Sequence, residues 1–267
     1  MELTDFFGAM WTDYCALSPQ AEGIHALLSA RGEAVINDHI ALRTFRHPLL
    51  GLAQAARPFE ELGYRACGEY FFEQKKLYAK HWEHPDPDQP KIFISELEVE
   101  KFPKRIQELI VGLADQVAPS AAARADFFRS GRPWQASHAA YQELAAVSEY
   151  ASWVAAYGFR PNHFTVSVNR LKTFPTLEAL NATLEAAGYR LNASGGKIKG
   201  TPAELLEQSS TVAEEVDVRF SDGAFSVPSV YYEFARRYAQ PDGRLYQGFI
   251  AKSADKIFES TDRTKKV

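Results

Sequence analysis

Hydrophobic residues at helical spacing open the chain. Thr4 can cap a first helix. Its apolar positions recur with a helical period: Phe6, Phe7, Met10 and Trp11. Ser18-Pro19 is typical of an N-cap followed by a first-turn proline, and Arg31-Gly32 is typical of a helix end. The pattern therefore predicts two N-terminal helices.

A run rich in β-forming residues follows at 34–45 and predicts a strand. The segment 48–62 has a helical pattern and ends at Gly63, a residue suited to a left-handed C-terminal cap. Strand-like pieces around 70–72 and 92–94 come next, separated by a loop rich in proline and aspartate.

The second half of the chain has a similar pattern after an alanine-rich helical stretch at 101–157. An alternating strand is predicted at 162–169, and a helix at 176–187 that ends at Gly188. Strand-like segments follow at 216–220 and 227–234.

The two halves form an internal repeat. His39 precedes Gly63-Tyr64-Arg65 by nearly the same distance that separates His163 from Gly188-Tyr189-Arg190. Chance is the alternative, because a Gly-Tyr pair after a helix is common. We interpret the pattern as a duplicated βαβββ unit.

The repeat predicts an α+β fold in which two βαβββ modules form a curved, half-open mixed sheet around a metal cleft. Module one spans about 33–100, a helical insertion about 101–157, and module two about 158–240. With the N-terminal helices they form a single domain over 1–267.

Composition excludes several classes of function. Hydrophobic residues make up 46% and charged residues 24%, which is typical of soluble globular proteins. The net charge of −4 argues against a broad nucleic-acid-binding surface, and no run approaches the roughly 18 apolar residues of a membrane span. Two cysteines are too few for a disulfide framework or a thiolate zinc cage. The acidic start lacks a secretory pattern, so we expect a cytoplasmic protein that binds neither nucleic acid nor membrane.

Three strands carry residues that could bind a metal. Alternation places His39 and Arg43 on one face of the first strand, and His163 begins the polar face of its counterpart. Glu233 stands among bulky β-formers, where burial is costly unless a partner such as a divalent cation satisfies it. Two histidines and one carboxylate form the facial arrangement of non-haem Fe(II) oxygenases, which leaves three coordination positions open.

Each of these residues also has a purely structural alternative. A strand histidine is commonly just hydrogen-bonded, and Glu233 could pair with Arg236 or Arg237. Glu96 occupies a place in the first module similar to that of Glu233 and is the rival carboxylate. The segment 81–84 (His-Trp-Glu-His) has ligand-like spacing, but it adjoins the Pro/Asp-rich loop, and we predict an exposed loop there.

Arg43 is a candidate for binding substrate. Four residues of strand rise are about 13 Å, so its guanidinium can lean back towards a ligand held near His39. A planar fork of donors suits a carboxylate. The alternative is an ion pair with Glu69 or Glu96.

Three segments resemble the ligand strands of the vicinal-oxygen-chelate superfamily: 39–43 (HIALR), 162–166 (NHFTV) and 231–234 (YYEF). The chain is more similar still to the 2-oxoadipate dioxygenase/decarboxylase family, also called 2-hydroxyglutarate synthase. The resemblance implies that His39, His163 and Glu233 bind Fe(II) and that Arg43 binds substrate. A late segment, 251–258, resembles the family stretch whose serine touches substrate, which implies the same role for Ser253.

The resemblance implies an enzyme that uses dioxygen to convert a 2-oxo acid such as 2-oxoadipate into 2-hydroxyglutarate and CO2, a reaction of lysine catabolism. The substrate supplies the electrons, so no 2-oxoglutarate, flavin or nicotinamide is required. Two alternatives share the scaffold. One is a redox-neutral metal-dependent lyase, isomerase or hydrolase, and the other is a non-catalytic ligand-binding protein.

Overall fold

A computed structural model of the chain describes residues 2–124, 126–250 and 261. Its helices are α1 (Leu3–Cys15), α2 (Pro19–Ala30), α3 (Leu52–Glu61), α4 (Lys104–Ala114), α5 (Pro119–Ala122), α6 (His138–Ala145), α7 (Glu149–Tyr157) and α8 (Leu177–Ala186). Its strands are β1 (Asn37–Phe45), β2 (Arg65–Phe72), β3 (Leu77–Glu83), β4 (Lys91–Leu97), β5 (Pro161–Ser167), β6 (Lys199–Thr201), β7 (Leu206–Ser210), β8 (Glu215–Phe220), β9 (Gly223–Pro228) and β10 (Tyr231–Arg237).

Eight strands form one mixed sheet in the order β2-β3-β4-β1-β5-β10-β7-β6. β1 and β5 pair antiparallel at the centre. On either side of them, β4 runs parallel to β1, and β10 runs parallel to β5. The two halves of the sheet therefore have the same strand arrangement, and the predicted α+β class with a half-open mixed sheet is confirmed. The module boundaries stay an interpretation, which this strand order supports.

The repeated Gly-Tyr step has the same backbone structure in both halves. Gly63 after α3 has φ of 97°, and Gly188 after α8 has φ of 91°. Only glycine adopts this left-handed conformation without cost. The N–H of the following tyrosine then donates to a carbonyl five residues earlier, from Tyr64 to Phe59 and from Tyr189 to Leu184. These helix ends turn the chain back into each half-sheet.

One predicted strand is wrong. The segment 227–234 is divided at Ser229-Val230, so that its first part ends β9 and the rest belongs to β10. β8 and β9 pair only with each other, as a separate two-stranded sheet. The second module thus contains an inserted hairpin, which the sequence conceals because the apolar residues run on from the end of β9 into β10.

Helices cover one face of the sheet and leave the polar positions on the other. Phe164 of β5 packs against Trp11 and Tyr14 of α1, with ring centroids 5.1 and 4.9 Å apart. Tyr232 of β10 packs on the same two side chains. This layer forms part of the core and directs the alternate residues of β5 and β10 to the opposite, concave face.

The helical insertion reaches the concave side. α7 packs against β1, and the Tyr150 hydroxyl accepts the N–H of Thr44 at 3.0 Å while lying 2.7 Å from the Ser95 carbonyl. α7 therefore covers the end of β1 beyond the candidate site. Among the described helices, none is both long and apolar enough to cross a membrane.

Candidate metal centre

The three predicted ligands converge on the concave face. In the strand register His39 lies opposite Thr165, His163 opposite Tyr231, and Thr165 opposite Glu233. His39, His163 and Glu233 therefore come from three adjacent strands, and one ligand atom of each lies within 4.8 Å of the others. The structure shows that the three side chains meet. Metal binding by them stays a prediction.

The cluster has the dimensions of a coordination site. His39 Nε2 lies 3.3 Å from Glu233 Oε1, and His163 Nε2 lies 3.4 Å from Glu233 Oε2. The two imidazole rings are 5.4 Å apart and almost perpendicular, at 86°. Bonds of about 2.1 Å at right angles would place neighbouring donor atoms about 3 Å apart. The two nitrogen–oxygen distances exceed this value by about 0.3–0.4 Å, so each imidazole lies close to the position it would need to share a cation with Glu233.

A hydrogen-bond acceptor directly precedes each histidine and orients its ring. Asp38 Oδ1 lies 2.8 Å from His39 Nδ1, and Asn162 Oδ1 lies 3.2 Å from His163 Nδ1. Arg237 holds Asp38 in turn, through two hydrogen bonds of 2.7 and 2.8 Å. With Nδ1–H donated to these oxygens, each Nε2 presents its lone pair to the site, as is usual for metal-binding histidines. These two acceptors were not predicted, although their position before each repeated histidine is visible in the sequence.

Glu233 is a buried carboxylate with no arginine or lysine partner among the described residues, and its neighbours are the imidazoles of His39 and His163. Asp38 is paired with Arg237, and Arg43 with Glu149. Glu233 is 0% exposed and receives one hydrogen bond at Oε1, from Gln208 at 2.6 Å, whereas its Oε2 has no hydrogen-bond partner. A buried carboxylate oxygen left in this state is costly unless a cation satisfies it. The orphaned oxygen faces an imidazole nitrogen, which fits a shared metal.

The pKa shifts agree with a site made for a cation. Burial lowers the pKa of His163 to about 3, so its imidazole is neutral and able to coordinate. Burial also opposes protonation of His39, but the Glu233 and Asp38 carboxylates outweigh it and raise its pKa. Burial alone would raise the pKa of Glu233, but the two imidazoles lower it. The carboxylate thus attracts positive charge to the position that a metal would occupy.

The alternatives for the acidic residues are resolved by their contacts. Arg237 pairs with Asp38, not with Glu233. Glu96, the rival carboxylate, accepts from Arg46 Nε and from the Leu52 N–H, both at 2.8 Å, and therefore stabilises the start of α3.

Arg43 lies on the same face of β1 as His39, and its charge contributes to lowering the pKa of His163. Its predicted alternative partners are wrong, since Glu69 pairs with Lys80 and Glu96 with Arg46. Its partner is Glu149 of α7, at 2.7 Å.

Three further contacts hold the buried guanidinium of Arg43. It lies over the rings of Tyr150 and Trp153, with centroid distances of 5.0 and 5.2 Å. Its Nη2 also donates to the Thr261 hydroxyl at 3.4 Å. Ser253 lies outside the described residues.

Aromatic rings wall the cluster. Tyr231 stacks on His163 with ring centroids 4.6 Å apart, and Phe249 meets His39 edge to face at 4.8 Å. The prediction of an exposed loop at 81–84 is wrong for 81–83, which end β3; His81 and Trp82 are buried, and the His81 ring lies 5.4 Å from Phe249. Neither Phe249 nor Gln208 carries a signal in the sequence that would have identified it.

A mirrored eight-stranded sheet with a His-His-Glu cluster on its concave face defines a protein of the vicinal-oxygen-chelate class. A family model described as 2-oxoadipate dioxygenase/decarboxylase matches residues 15–131 and 114–246. The chloroplastic 2-oxoadipate dioxygenase/decarboxylase of Arabidopsis thaliana is 33% identical over 282 residues, which cover 95% of this chain and 76% of that protein. The chain belongs to the 2-oxoadipate dioxygenase/decarboxylase family, as the resemblance of its strands predicted.

Two solved structures are similar over nearly their whole length. The hydroxyglutarate synthase from Oryza sativa, solved in complex with 2-oxoadipate, has a TM-score of 0.88 at 31% identity, covering 97% of this chain and 93% of that chain. A protein from Shewanella frigidimarina NCIMB 400, provisionally described as a hydrolase, has a TM-score of 0.90 at 53% identity, covering 94% of this chain and 98% of that chain.

Proposed function

We propose that the chain is a non-haem Fe(II)-dependent dioxygenase/decarboxylase that acts on a 2-oxo acid such as 2-oxoadipate and forms 2-hydroxyglutarate and CO2. Membership of the family supports this reaction. The single observation that carries the metal dependence is Glu233, fully buried between two imidazoles with one carboxylate oxygen unsatisfied.

His39 Nε2, His163 Nε2 and the Glu233 carboxylate would hold the metal. Two histidines and one carboxylate on one face are typical ligands of Fe(II) in oxygenases and leave positions open for other ligands. Bound iron would supply a centre at which a 2-oxo acid is chelated and dioxygen is activated. Asp38 and Asn162 keep both imidazoles in the tautomer and orientation that this requires.

Arg43 would bind the carboxylate at the far end of the substrate. Its guanidinium is already held flat by Tyr150 and Trp153, so little side-chain entropy is lost when a carboxylate binds. A substrate carboxylate has to share or displace the contacts that Glu149 and Thr261 make with the same fork. Arg43 therefore favours dicarboxylic over monocarboxylic oxo acids.

The aromatic walls would keep water from the reacting end of the substrate. Phe249 covers His39, and Tyr231 covers His163. Exclusion of water strengthens the electrostatic contacts within the site and protects reactive species from side reactions.

The overall reaction balances without another reductant. One 2-oxoadipate and one dioxygen contain the same atoms as one 2-hydroxyglutarate and one CO2. Oxidative decarboxylation supplies two of the four electrons that reduce dioxygen, and hydroxylation of the same substrate supplies the other two. This agrees with the absence, from the sequence, of a dinucleotide-binding glycine fingerprint.

A redox-neutral reaction is the second candidate, because the Shewanella frigidimarina protein that is 53% identical is provisionally described as a hydrolase. Such an enzyme would work with Zn(II) and would ignore dioxygen. The two candidates differ in their response to air, which makes them easy to separate.

The test is dioxygen uptake by metal-free protein reconstituted with Fe(II) and supplied with 2-oxoadipate. We expect equal amounts of dioxygen consumed and CO2 released, no turnover under argon, and no turnover by the His163→Ala variant. Turnover of the oxo acid under argon, or with Zn(II) alone, would support the redox-neutral candidate. No uptake with any 2-oxo acid would reject the oxygenase.

A further inference from the structure

A β-bulge in the edge strand brings a cysteine towards His81. β2 and β3 pair Ala66 with Trp82 and Gly68 with His81, so that Cys67 is an extra residue without a partner in the ladder. A bulge re-aims the side chains of the strand that contains it. Here it places the Cys67 thiol within 4.8 Å of ligand atoms of both His81 and Glu83.

The other two members of this cluster are set by strand alternation. His81 and Glu83 are two residues apart on β3 and therefore share a face. His81 Nε2 lies 2.9 Å from Glu83 Oε1, a hydrogen-bond distance, and the pair would have to open by about half an ångström to bind one tetrahedral Zn(II). A Cβ at position 68 would lie 2.9 Å from His81 Cε1 and Nδ1, so Gly68 leaves room for the imidazole.

The remaining nitrogen of His81 has the partner that a metal-binding histidine requires. Its Nδ1 lies 2.9 Å from the Tyr70 hydroxyl, which also accepts the backbone N–H of Phe249 at 3.2 Å. A metal ion at Nε2 would replace the proton shared with Glu83, and Nδ1–H would then donate to the Tyr70 hydroxyl. Such a hydrogen bond to the nitrogen that does not bind the metal fixes the tautomer of the imidazole and raises the basicity of the nitrogen that does.

We propose that Cys67, His81 and Glu83 form a second metal site, which takes Zn(II). Thiolate, imidazole and carboxylate are all ligands of zinc, and three protein ligands leave a fourth tetrahedral position for water. The donor set differs from that of His39, His163 and Glu233, because only the second site contains sulfur.

The two sites are neighbours but share no residue. The ligands of the proposed zinc site lie on β2 and β3, whereas those of the candidate iron site lie on β1, β5 and β10. Phe249 contacts both, with its ring 5.4 Å from His81 and 4.8 Å from His39. Zinc bound at Cys67 would therefore stabilise Tyr70 and, through it, the wall that covers His39.

Cobalt(II) is the probe that separates the sites, because a cobalt–thiolate bond gives an intense charge-transfer band in the near ultraviolet and nitrogen or oxygen ligands do not. We expect the band when metal-free protein is titrated with Co(II) under argon. It should be lost in Cys67→Ser and retained in Cys15→Ser, the matched control at the other cysteine. Cys67 is exposed, so its substitution leaves the fold intact, which thermal unfolding of the metal-free variant checks.

Equilibrium dialysis against Zn(II) provides the second readout. We expect Cys67→Ser to bind one equivalent of Zn(II) less than Cys15→Ser and the unmodified chain. The proposal is overturned if saturating Co(II) gives no thiolate band in the unmodified chain. It is also overturned if the band persists in Cys67→Ser, or if all three proteins bind the same number of zinc equivalents. None of these outcomes depends on turnover of an oxo acid.

Discussion

At the scale of single residues, the site depends on the hydrogen-bond partner that orients each metal-binding side chain. Asp38 and Asn162 each precede one of the repeated histidines and accept its Nδ1–H. This signal is present in the sequence, because both halves of the repeat carry an acceptor at the same place. Gln208 donates to Glu233 from a strand that the sequence pattern does not connect with β10. Its role could not be predicted without the strand register.

Replacing Glu233 by glutamine tests whether its buried negative charge is what binds a metal cation. In the unmodified chain, a divalent metal at 100 times its Kd should raise the free energy of unfolding by about 2.7 kcal/mol. Glu233→Gln should lose most of that increase, because the neutral amide binds a cation weakly. Thermal unfolding with and without metal measures both values. Glu96→Gln is the matched control, since Glu96 binds Arg46 and should leave the response to metal unchanged; equal responses in both variants would contradict the assignment.

Asp38→Asn tests the residue that orients His39. We expect metal affinity to fall about 10- to 100-fold, because the orienting hydrogen bond loses its charge. The metal-free variant should also be less stable by about 3 kcal/mol, since Arg237 is left buried without its carboxylate. Isothermal titration with metal and chemical unfolding give the two numbers.

The double variant Asp38→Asn with Arg237→Met separates these two effects. Removing the orphaned guanidinium should restore part of the stability but not the metal affinity. If both quantities recover together, Asp38 supports the fold and does not orient the ligand.

At the scale of strands and helices, the sequence predicted the face of the sheet on which a side chain lies, but not the residue with which it pairs. Strand alternation correctly places Arg43 on the face of His39, but its counter-ion, Glu149, comes from the inserted helix α7. Glu69 and Glu96 were the alternative partners for Arg43 that the sequence offered, yet each binds another basic residue. A local pattern carries no information about a contact between segments so far apart in the chain. The β8–β9 hairpin was missed for a related reason, since the end of its second strand runs directly into the apolar start of β10.

Arg43→Met tests substrate selection. Loss of a charged hydrogen-bond pair of about 1.5–3 kcal/mol should lower kcat/KM for 2-oxoadipate about 10- to 100-fold. The matched substrate is 2-oxohexanoate, which has the same chain length but no distal carboxylate and should be affected far less. Steady-state dioxygen uptake measures both. An equal loss for the two substrates would show that Arg43 maintains structure only.

The helix ends that define the repeat give a prediction about stability alone. Gly188 has φ of 91° and open space where a Cβ would be, so Gly188→Ala should cost about 1–2 kcal/mol purely through backbone strain. Gly8, inside α1 and also with open space around it, is the matched control. Gly8→Ala should instead stabilise the chain by about 0.5–1 kcal/mol. Chemical unfolding measures the change in the free energy of unfolding for both variants. A change of the same sign in both would contradict the role of Gly188 as a left-handed helix cap.

At the scale of the whole molecule, duplication explains why three distant segments meet. β1 and β5 occupy equivalent places in the two halves and pair at the centre of the sheet, which brings His39 and His163 together. β10 adds Glu233 beside β5. The repeat in the sequence predicted this convergence. Tyr231, which stacks on His163, belongs to the repeated unit, but Phe249 and α7, which supplies the partner of Arg43, lie outside it, and their contacts could not be predicted.

The central claim is that His39, His163 and Glu233 bind one metal ion. Crystals soaked anaerobically with Fe(II) and measured on both sides of the iron absorption edge test it most directly. We predict an anomalous peak about 2.1 Å from His39 Nε2, His163 Nε2 and a carboxylate oxygen of Glu233. A map without iron at this position, in crystals that contain stoichiometric iron elsewhere, would contradict the account.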